Sequence, residues 1–265
     1  MTLPVLPDLA TDPRRLVRLD AVHNFRDMGG YPTFDGHCTR WRRLFRADGL
    51  YRLTGADLEV VRLLGLNTVI DLRTHAELEE RGTFPVAEHP VAFHHVPVID
   101  STWNVNAATH VTGATDAADF LEHAYLSMLD EGELRLAEAL TTLCAPGALP
   151  AVFHCAAGKD RTGMLAMMIL GCLDVLPEYI VADYALTAAG MERMREWSLR
   201  EYPELHARIM AGPIVFSAAV PEAMQRMIRH VSDGYGSIRE FALAVGVPSS
   251  AIAHLRSELL VRSNP

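Results

Sequence analysis

Apolar positions along the chain alternate between two spacings, and the switches between them mark out a succession of strands and helices. Val22–Pro32 alternates weakly and ends in turn residues, and Trp41–Ala47 offers a second short extended segment. The two predict a pair of antiparallel edge strands. Thr54-Gly-Ala-Asp57 then has the form of a capping box, a hydroxyl followed three residues later by an acid. Leu58, Val61 and Leu64 recur at helical spacing until Gly65 stops the helix. Thr68–Leu72 is a short β-branched strand, Thr74-His-Ala-Glu77 repeats the capping pattern and opens a helix that ends at Gly82, and Phe93–Val98 is a further strand. A polar loop over Ser101–Thr115 leads into helical spacing from Asp116 to Cys144. Ala151–His154 is an apolar strand running directly into Cys155, with an apolar helix over Arg161–Leu173.

This order predicts an α/β fold, a central mixed sheet flanked by helices, with the sheet between roughly residues 20 and 160. Beyond Pro177 no strand is evident; helical segments are punctuated by Gly190, Gly212-Pro213, Pro221, Gly234 and Gly246, and Ser237–Glu240 supplies another capping box. The expected organisation is a single domain over 1–265, a catalytic core at 20–173 followed by a helical elaboration at 174–265. Eight of the 11 methionines fall from Met164 onward. Such adaptable side chains suit either a movable helical lid or plain core filler.

Composition narrows the classes. With 49% hydrophobic and 22% charged residues, the 265-residue chain is neither disordered nor fibrous. No apolar run approaches the roughly 20 residues a membrane helix needs, and the first residues lack a signal-peptide layout. A cytoplasmic location is the default expectation, with unconventional export left open. A net charge of −9 argues against nucleic acid as a partner, although it leaves room for a small focused anion site. The nine arginines between Arg14 and Arg52 read either as a rim for phosphorylated ligands or as ion pairs with distant acids. Cys38, Cys144, Cys155 and Cys172 make no Cys-x-x-Cys or zinc-like spacing, and no metal or cofactor is expected. His75 and His94-His95 likewise lack a ligand spacing. Among 24 basic residues there is one lysine, Lys159.

That lysine lies in His154-Cys-Ala-Ala-Gly-Lys-Asp-Arg-Thr-Gly163, between a predicted strand and a predicted helix. A loop there can curl so that successive backbone N–H groups of Ala156, Ala157, Gly158, Lys159, Asp160 and Arg161 point inward, while the helix N-terminus adds partial positive charge. A phosphate dianion suits such a cradle. Arg161 can grip two phosphate oxygens through its fork, and Cys155 at the floor is the candidate nucleophile, since a positive field favours attack by thiolate. Gly158 permits the tight backbone, Thr162 can donate its hydroxyl to the sulfur, and His154 positions the loop rather than acting as a base. An ammonium at Lys159 on the loop rim could bind a second phosphate on an inositol ring.

His-Cys-x5-Arg resembles the signature of the cysteine-dependent protein tyrosine phosphatase superfamily. The loop as a whole is similar to that of its bacterial branch, typified by the mycobacterial secreted tyrosine phosphatase B. Asn24-Phe-Arg-Asp-Met-Gly-Gly-Tyr, Leu44-Phe-Arg-Ala-Asp-Gly-Leu and Val69-Ile-Asp-Leu-Arg-Thr match that branch in kind and order, and Asp183-Tyr184 and Tyr235–Leu243 do so less sharply. The resemblance implies the phosphotyrosine phosphatase fold and metal-free hydrolysis of phosphate monoesters through a phosphocysteine, with inorganic phosphate as product. It also implies specificity extending from phosphotyrosine to phosphoserine, phosphothreonine and phosphoinositides. It makes Asp160 the favoured general acid, with Asp71 and Asp100 as rivals; Asp71 is alternatively a partner for a loop arginine. Two other classes stay open at this point. One is a phosphate-recognising module that binds phosphorylated partners without turnover, and the other is a thiol-based transferase, for which a second positioned cysteine is missing. The oligomeric state is not legible.

Overall fold

A computed structural model describes residues 12–101, 116–211 and 218–263. Five strands lie side by side in the order β1 (Arg26–Asp27), β3 (Leu44–Ala47), β6 (Ala151–His154), β4 (Thr68–Asp71) and β5 (Ala92–His95). The last four are mutually parallel and β1 is antiparallel to β3, so the sheet is mixed. β1 is the expected edge strand. β3 is not, because it sits between β1 and β6.

Ten α-helices accompany the sheet among the described residues: α1 (Gly55–Arg62), α2 (His75–Arg81), α3 (Ala117–Leu143), α4 (Asp160–Cys172), α5 (Pro177–Ala185), α6 (Thr187–Glu201), α7 (Pro203–Ala211), α8 (Pro221–Tyr235), α9 (Ile238–Ala244) and α10 (Ser249–Leu259). Two of the three predicted capping boxes close fully, and at the third Ser237 Oγ accepts the Glu240 N–H at 3.1 Å. Thr54 Oγ1 accepts the Asp57 N–H at 3.1 Å, and Thr74 Oγ1 accepts the Glu77 N–H at 3.2 Å while Glu77 Oε2 takes the Thr74 N–H at 2.9 Å. Of the predicted polar loop Ser101–Thr115, residues 102–115 lie outside the described residues, as do Gly212-Pro213.

Successive strand residues face opposite sides of a sheet, and here each side has its own apolar cluster. Phe45, Val69 and Val152 face a smaller cluster with Val61 of α1 and Leu66. Leu44, Ile70 and Phe153 face a larger one built with α3, α4, α5 and α8 to α10. α4 is apolar on every face because it runs through the middle of that cluster, and Met164, Met167 and Met168 are fully buried in it. Met224 and Met227 of α8 join them, so these methionines are core filler. No helix of the described residues is long and apolar enough to cross a membrane.

The C-terminal half also holds a strand that the sequence reading missed. β7 (Leu260–Arg262) pairs antiparallel with β2 (His37–Thr39), Cys38 opposite Val261. Three residues directly after a helix carry no periodicity of their own, and only the distant partner makes them a strand.

Polar groups, too, tie the two halves together. The Asp183 carboxylate on α5 is wholly buried and accepts Arg26 Nε at 3.0 Å, Arg46 Nη1 at 2.5 Å and the Tyr31 hydroxyl at 2.7 Å. The arginine-rich N-terminal stretch is thereby largely spent on ion pairs: besides these two, Arg52 pairs with Asp48 and Arg43 with Glu258. Burial alone would raise the Asp183 carboxyl, and Arg26 and Arg46 outweigh it, holding the group well below the ordinary carboxylate range. A depressed carboxyl contributes stability above the unfolded value of about 4, and that contribution disappears as pH falls through the folded value. Asp183→Asn should therefore lose about 3–5 kcal/mol at pH 7, since it leaves two buried guanidinium groups uncompensated. Thermal melts at pH 7 and pH 3 check this: the gap to the unmodified protein should narrow at pH 3, and a constant gap would remove the electrostatic explanation.

Candidate active site

Parallel strands present their C-terminal ends on one edge, and in an open α/β sheet that edge is where ligands bind. His154 is in register with Ala47 on one side and Asp71 on the other. The residues that follow, Asp48, Cys155 and Leu72, consequently leave the sheet together. Cys155 is buried at the end of β6, and the loop from Cys155 to Lys159 delivers the chain into α4, whose first residue is Asp160.

The shape of this loop is imposed from outside. The Ala156 carbonyl accepts the Gly49 N–H at 3.1 Å, the Ala157 carbonyl accepts Asn24 Nδ2 at 3.1 Å, and the Gly158 carbonyl accepts Asn24 Nδ2 at 3.0 Å and Arg46 Nη2 at 2.8 Å. In a trans peptide the N–H points opposite to the C=O. With three successive carbonyls drawn outward, the N–H groups of Ala157, Gly158 and Lys159 turn to the inner side, which is the predicted anion cradle. Gly158 has φ +66°, and a Cβ there would stand 2.5 Å from the Ala47 carbonyl oxygen, so the cradle needs glycine at this position. Asn24 is itself fixed: Asp48 Oδ1 accepts its N–H at 2.8 Å, and its Oδ1 accepts Arg26 Nη1, which reaches on to Asp183.

Arg161 lies in the first turn of α4, and both arms of its fork engage Glu77 of α2, at 2.5 and 3.0 Å. Burial works against the Arg161 charge, and its electrostatic interactions with Cys155, Glu77 and Asp160 more than offset that, leaving the guanidinium firmly protonated. The Glu77 carboxyl would be raised by burial, but Arg161 and the Thr74 N–H pull it below its ordinary value. Glu77 thus caps α2 and aims the arginine with the same carboxylate. The sequence reading found only the first role.

The other predicted residues fall as follows. His154 is buried, its Nδ1 3.2 Å from the Cys155 carbonyl oxygen and its Nε2 3.5 Å from Asp71, and burial keeps it neutral against the pull of that carboxylate. Asp71 pairs with a loop arginine, as the alternative reading had it: Arg73, in the loop after β4, lies 2.6 Å away, and both groups are fully buried. That pairing also leaves it unsuited to donate a proton. Asp100 is exposed and lines a hollow with Glu131 and Arg135 of α3. Asp160 accepts the Tyr125 hydroxyl at 2.6 Å on Oδ1. The predicted Thr162-to-sulfur bond is not formed; among the described residues its buried hydroxyl has no hydrogen-bond partner. Lys159 is not on an open rim. Its side chain is 0% exposed, with Nζ 3.1 Å from the Ala218 carbonyl oxygen and 3.4 Å from Asp160 Oδ1. No cluster of His, Cys, Asp or Glu among the described residues could hold a metal ion.

A parallel sheet that delivers a cysteine into an amide-lined loop, with an arginine in the helix that follows, is the construction of a phosphatase. Residues 17–261 match the profile of the tyrosine phosphatase family, and the chain belongs to that family. It is similar to a putative tyrosine-protein phosphatase of Cupriavidus necator, 32% identical over 233 residues that cover 86% of this chain and 83% of that protein. It is also similar to a triple specificity protein phosphatase of Mycobacterium tuberculosis, 27% identical over 279 residues, 91% of this chain and 98% of that one. A tyrosine-protein phosphatase of Nostoc commune matches over 147 residues at 29% identity, 56% of this chain and 49% of its own.

Two outcomes follow from the geometry. Gly158→Ala should cost about 100-fold in kcat/KM, the scale for displacing catalytic groups by about 1 Å, and near-normal turnover would show that the loop tolerates the added carbon. Cys144 and Cys172 are buried, and burial pushes both thiols up to about 12. Iodoacetamide at pH 7 followed by peptide mass spectrometry should leave these two unmodified in the folded protein and modify them after denaturation.

Proposed function

We propose that this phosphatase hydrolyses phosphotyrosine, and with it phosphoserine and phosphothreonine, through a phosphocysteine on Cys155. The observation that carries the reading is the loop itself, with its three carbonyls tied outward and Arg161 held beside it. Inward N–H groups and a guanidinium match the three non-bridging oxygens of a phosphoryl group and bind them more strongly as charge builds in the transition state. In the first step the Cys155 Sγ–P bond forms as the P–O ester bond breaks. The ester oxygen keeps the electron pair and takes a proton from Asp160, so an alcohol leaves and Asp160 becomes a carboxylate. In the second, Asp160 removes a proton from water, whose oxygen attacks phosphorus, and the thiolate and inorganic phosphate are released.

Asp160 suits this role by elimination among its rivals, since Asp71 is spent on Arg73 and Asp100 is exposed beside α3. The named activity of the mycobacterial relative supports breadth beyond phosphotyrosine. For phosphoinositides, Lys159 would have to leave the Ala218 carbonyl before its ammonium could meet a second phosphate.

The test is phosphate release, with a chelator present, from phosphotyrosine, phosphoserine and phosphothreonine peptides and a phosphoinositide panel. Cys155→Ser should fold and lose all turnover; residual hydrolysis in a clean preparation would sink the covalent route. Asp160→Asn should slow alkyl phosphates more than phenyl phosphates, because phenolate departs more readily unprotonated. Equal losses would give Asp160 a positional role. Binding of phosphopeptide by the unmodified protein without release would favour a recognition module.

A further inference from the structure

Asp160 stands at the end of a file of donors that its role in acid catalysis does not by itself require. Tyr125 of α3 places its hydroxyl 2.6 Å from Asp160 Oδ1, and Lys159 Nζ stands 3.4 Å from the same oxygen. The Tyr125 hydroxyl is 2.6 Å from that of Tyr184 on α5, and the Tyr184 oxygen takes the backbone N–H of Val220, just ahead of α8. Both phenols are buried. Burial and the nearby Asp160 charge hold both well above the ordinary range for a tyrosine, so each keeps its proton at working pH.

A phenol has one hydrogen, and a backbone N–H only donates. The file therefore has one direction: the Val220 N–H donates to Tyr184, Tyr184 to Tyr125, and Tyr125 to Asp160 Oδ1. Reversing it would leave the Tyr184 hydrogen without an acceptor, since among the described residues Tyr184 has no other side-chain hydrogen-bond partner. A buried donor without a partner is costly.

We propose that Tyr125, backed by Tyr184, is a positioning residue that reserves Asp160 Oδ1 as an acceptor and so confines the acid proton to Oδ2. The inference rests on Asp160 acting as the general acid. When Asp160 is protonated, Oδ1 is its carbonyl-type oxygen, receiving Tyr125 and facing the Lys159 ammonium, and Oδ2–H is the arm left for the ester oxygen. When it is ionised after the first step, the same donors hold the carboxylate in place to receive a proton from water. The charged and titratable groups around it are Lys159 in the loop, Arg161 one residue on, Tyr125 from α3 and Tyr184 from α5. From the described residues before α8 come the Ala218 carbonyl and the Val220 N–H.

The experiment is a set of pH–rate profiles of kcat/KM on an alkyl and an aryl phosphate for the unmodified protein, Asp160→Asn, Tyr125→Phe and Tyr184→Phe, with thermal melts alongside. Asp160→Asn should abolish the alkaline limb on the alkyl ester; if that limb survives, Asp160 is not the acid and the assignment falls with it. If the limb is abolished, Tyr125→Phe isolates the positioning role. Losing a donor to the carboxylate makes its proton harder to remove, so the limb should persist and move up by about one pH unit, with about a 10-fold loss on the alkyl ester and less on the aryl. Tyr184→Phe should shift the limb in the same direction by less, and it keeps the question answerable if Tyr125→Phe does not fold. A limb that stays in place in the folded variants, or equal losses on both esters, would overturn the proposal.

Discussion

The outer clasp of the cysteine loop depends on one buried carboxylate. Asp183 holds Arg26 and Arg46, and through them Asn24 and the Gly158 carbonyl are drawn away from the inner face of the loop. A peptide group that cannot rotate its carbonyl inward must present its N–H there, so the fold itself sets the inward N–H groups on which the proposed phosphate binding depends. Three donor groups, the Gly49 N–H, the Asn24 side-chain amide and the Arg46 guanidinium, make four hydrogen bonds on the outside and leave the inner amides unengaged by them. The cost of burying two arginines is offset from α5 by a single acid, Asp183, which also accepts the Tyr31 hydroxyl.

The second device works from the other flank. Glu77 uses its carboxylate to finish the capping box of α2 and to receive both arms of Arg161. Tyr125 acts comparably on Asp160. In each case a reactive group is held by a neighbour on a rigid helix, so the loop itself carries little of the positioning.

Much of this was legible because it is local. Thr54, Asp57, Thr74 and Glu77 announce their helices in four-residue patterns. The strand running into Cys155, the glycine at 158 and Arg161 six residues beyond the cysteine spell out the loop before any coordinates. What was not legible is what sequence distance hides. Arg46 and Asp183 are 137 residues apart, and Arg161 and Glu77 are 84 apart, and nothing in their own neighbourhoods signals the pairing. Asn24-Phe-Arg-Asp looked like a family hallmark without a task; in space its asparagine and arginine are the loop's outer clasp. Lys159 misled for the opposite reason. A lysine beside a phosphate loop invites a ligand, whereas here the segment at Ala218 folds over it, which no local pattern foretells. β7 escaped because its whole justification is β2.

That last ribbon orders the protein in time. Residues 37–39 leave the ribosome more than 200 residues before their partners at 260–262, and Arg26 and Arg46 emerge long before Asp183. A nascent chain carrying the sheet strands and the cysteine loop is therefore still missing the groups that compensate its buried charge and close its edge. Such non-local pairings are slow to form. The cysteine loop lies in the first two thirds of the chain, but Asp183, the acid that compensates its outer clasp, follows it, so the loop takes its shape only once α5 has been made.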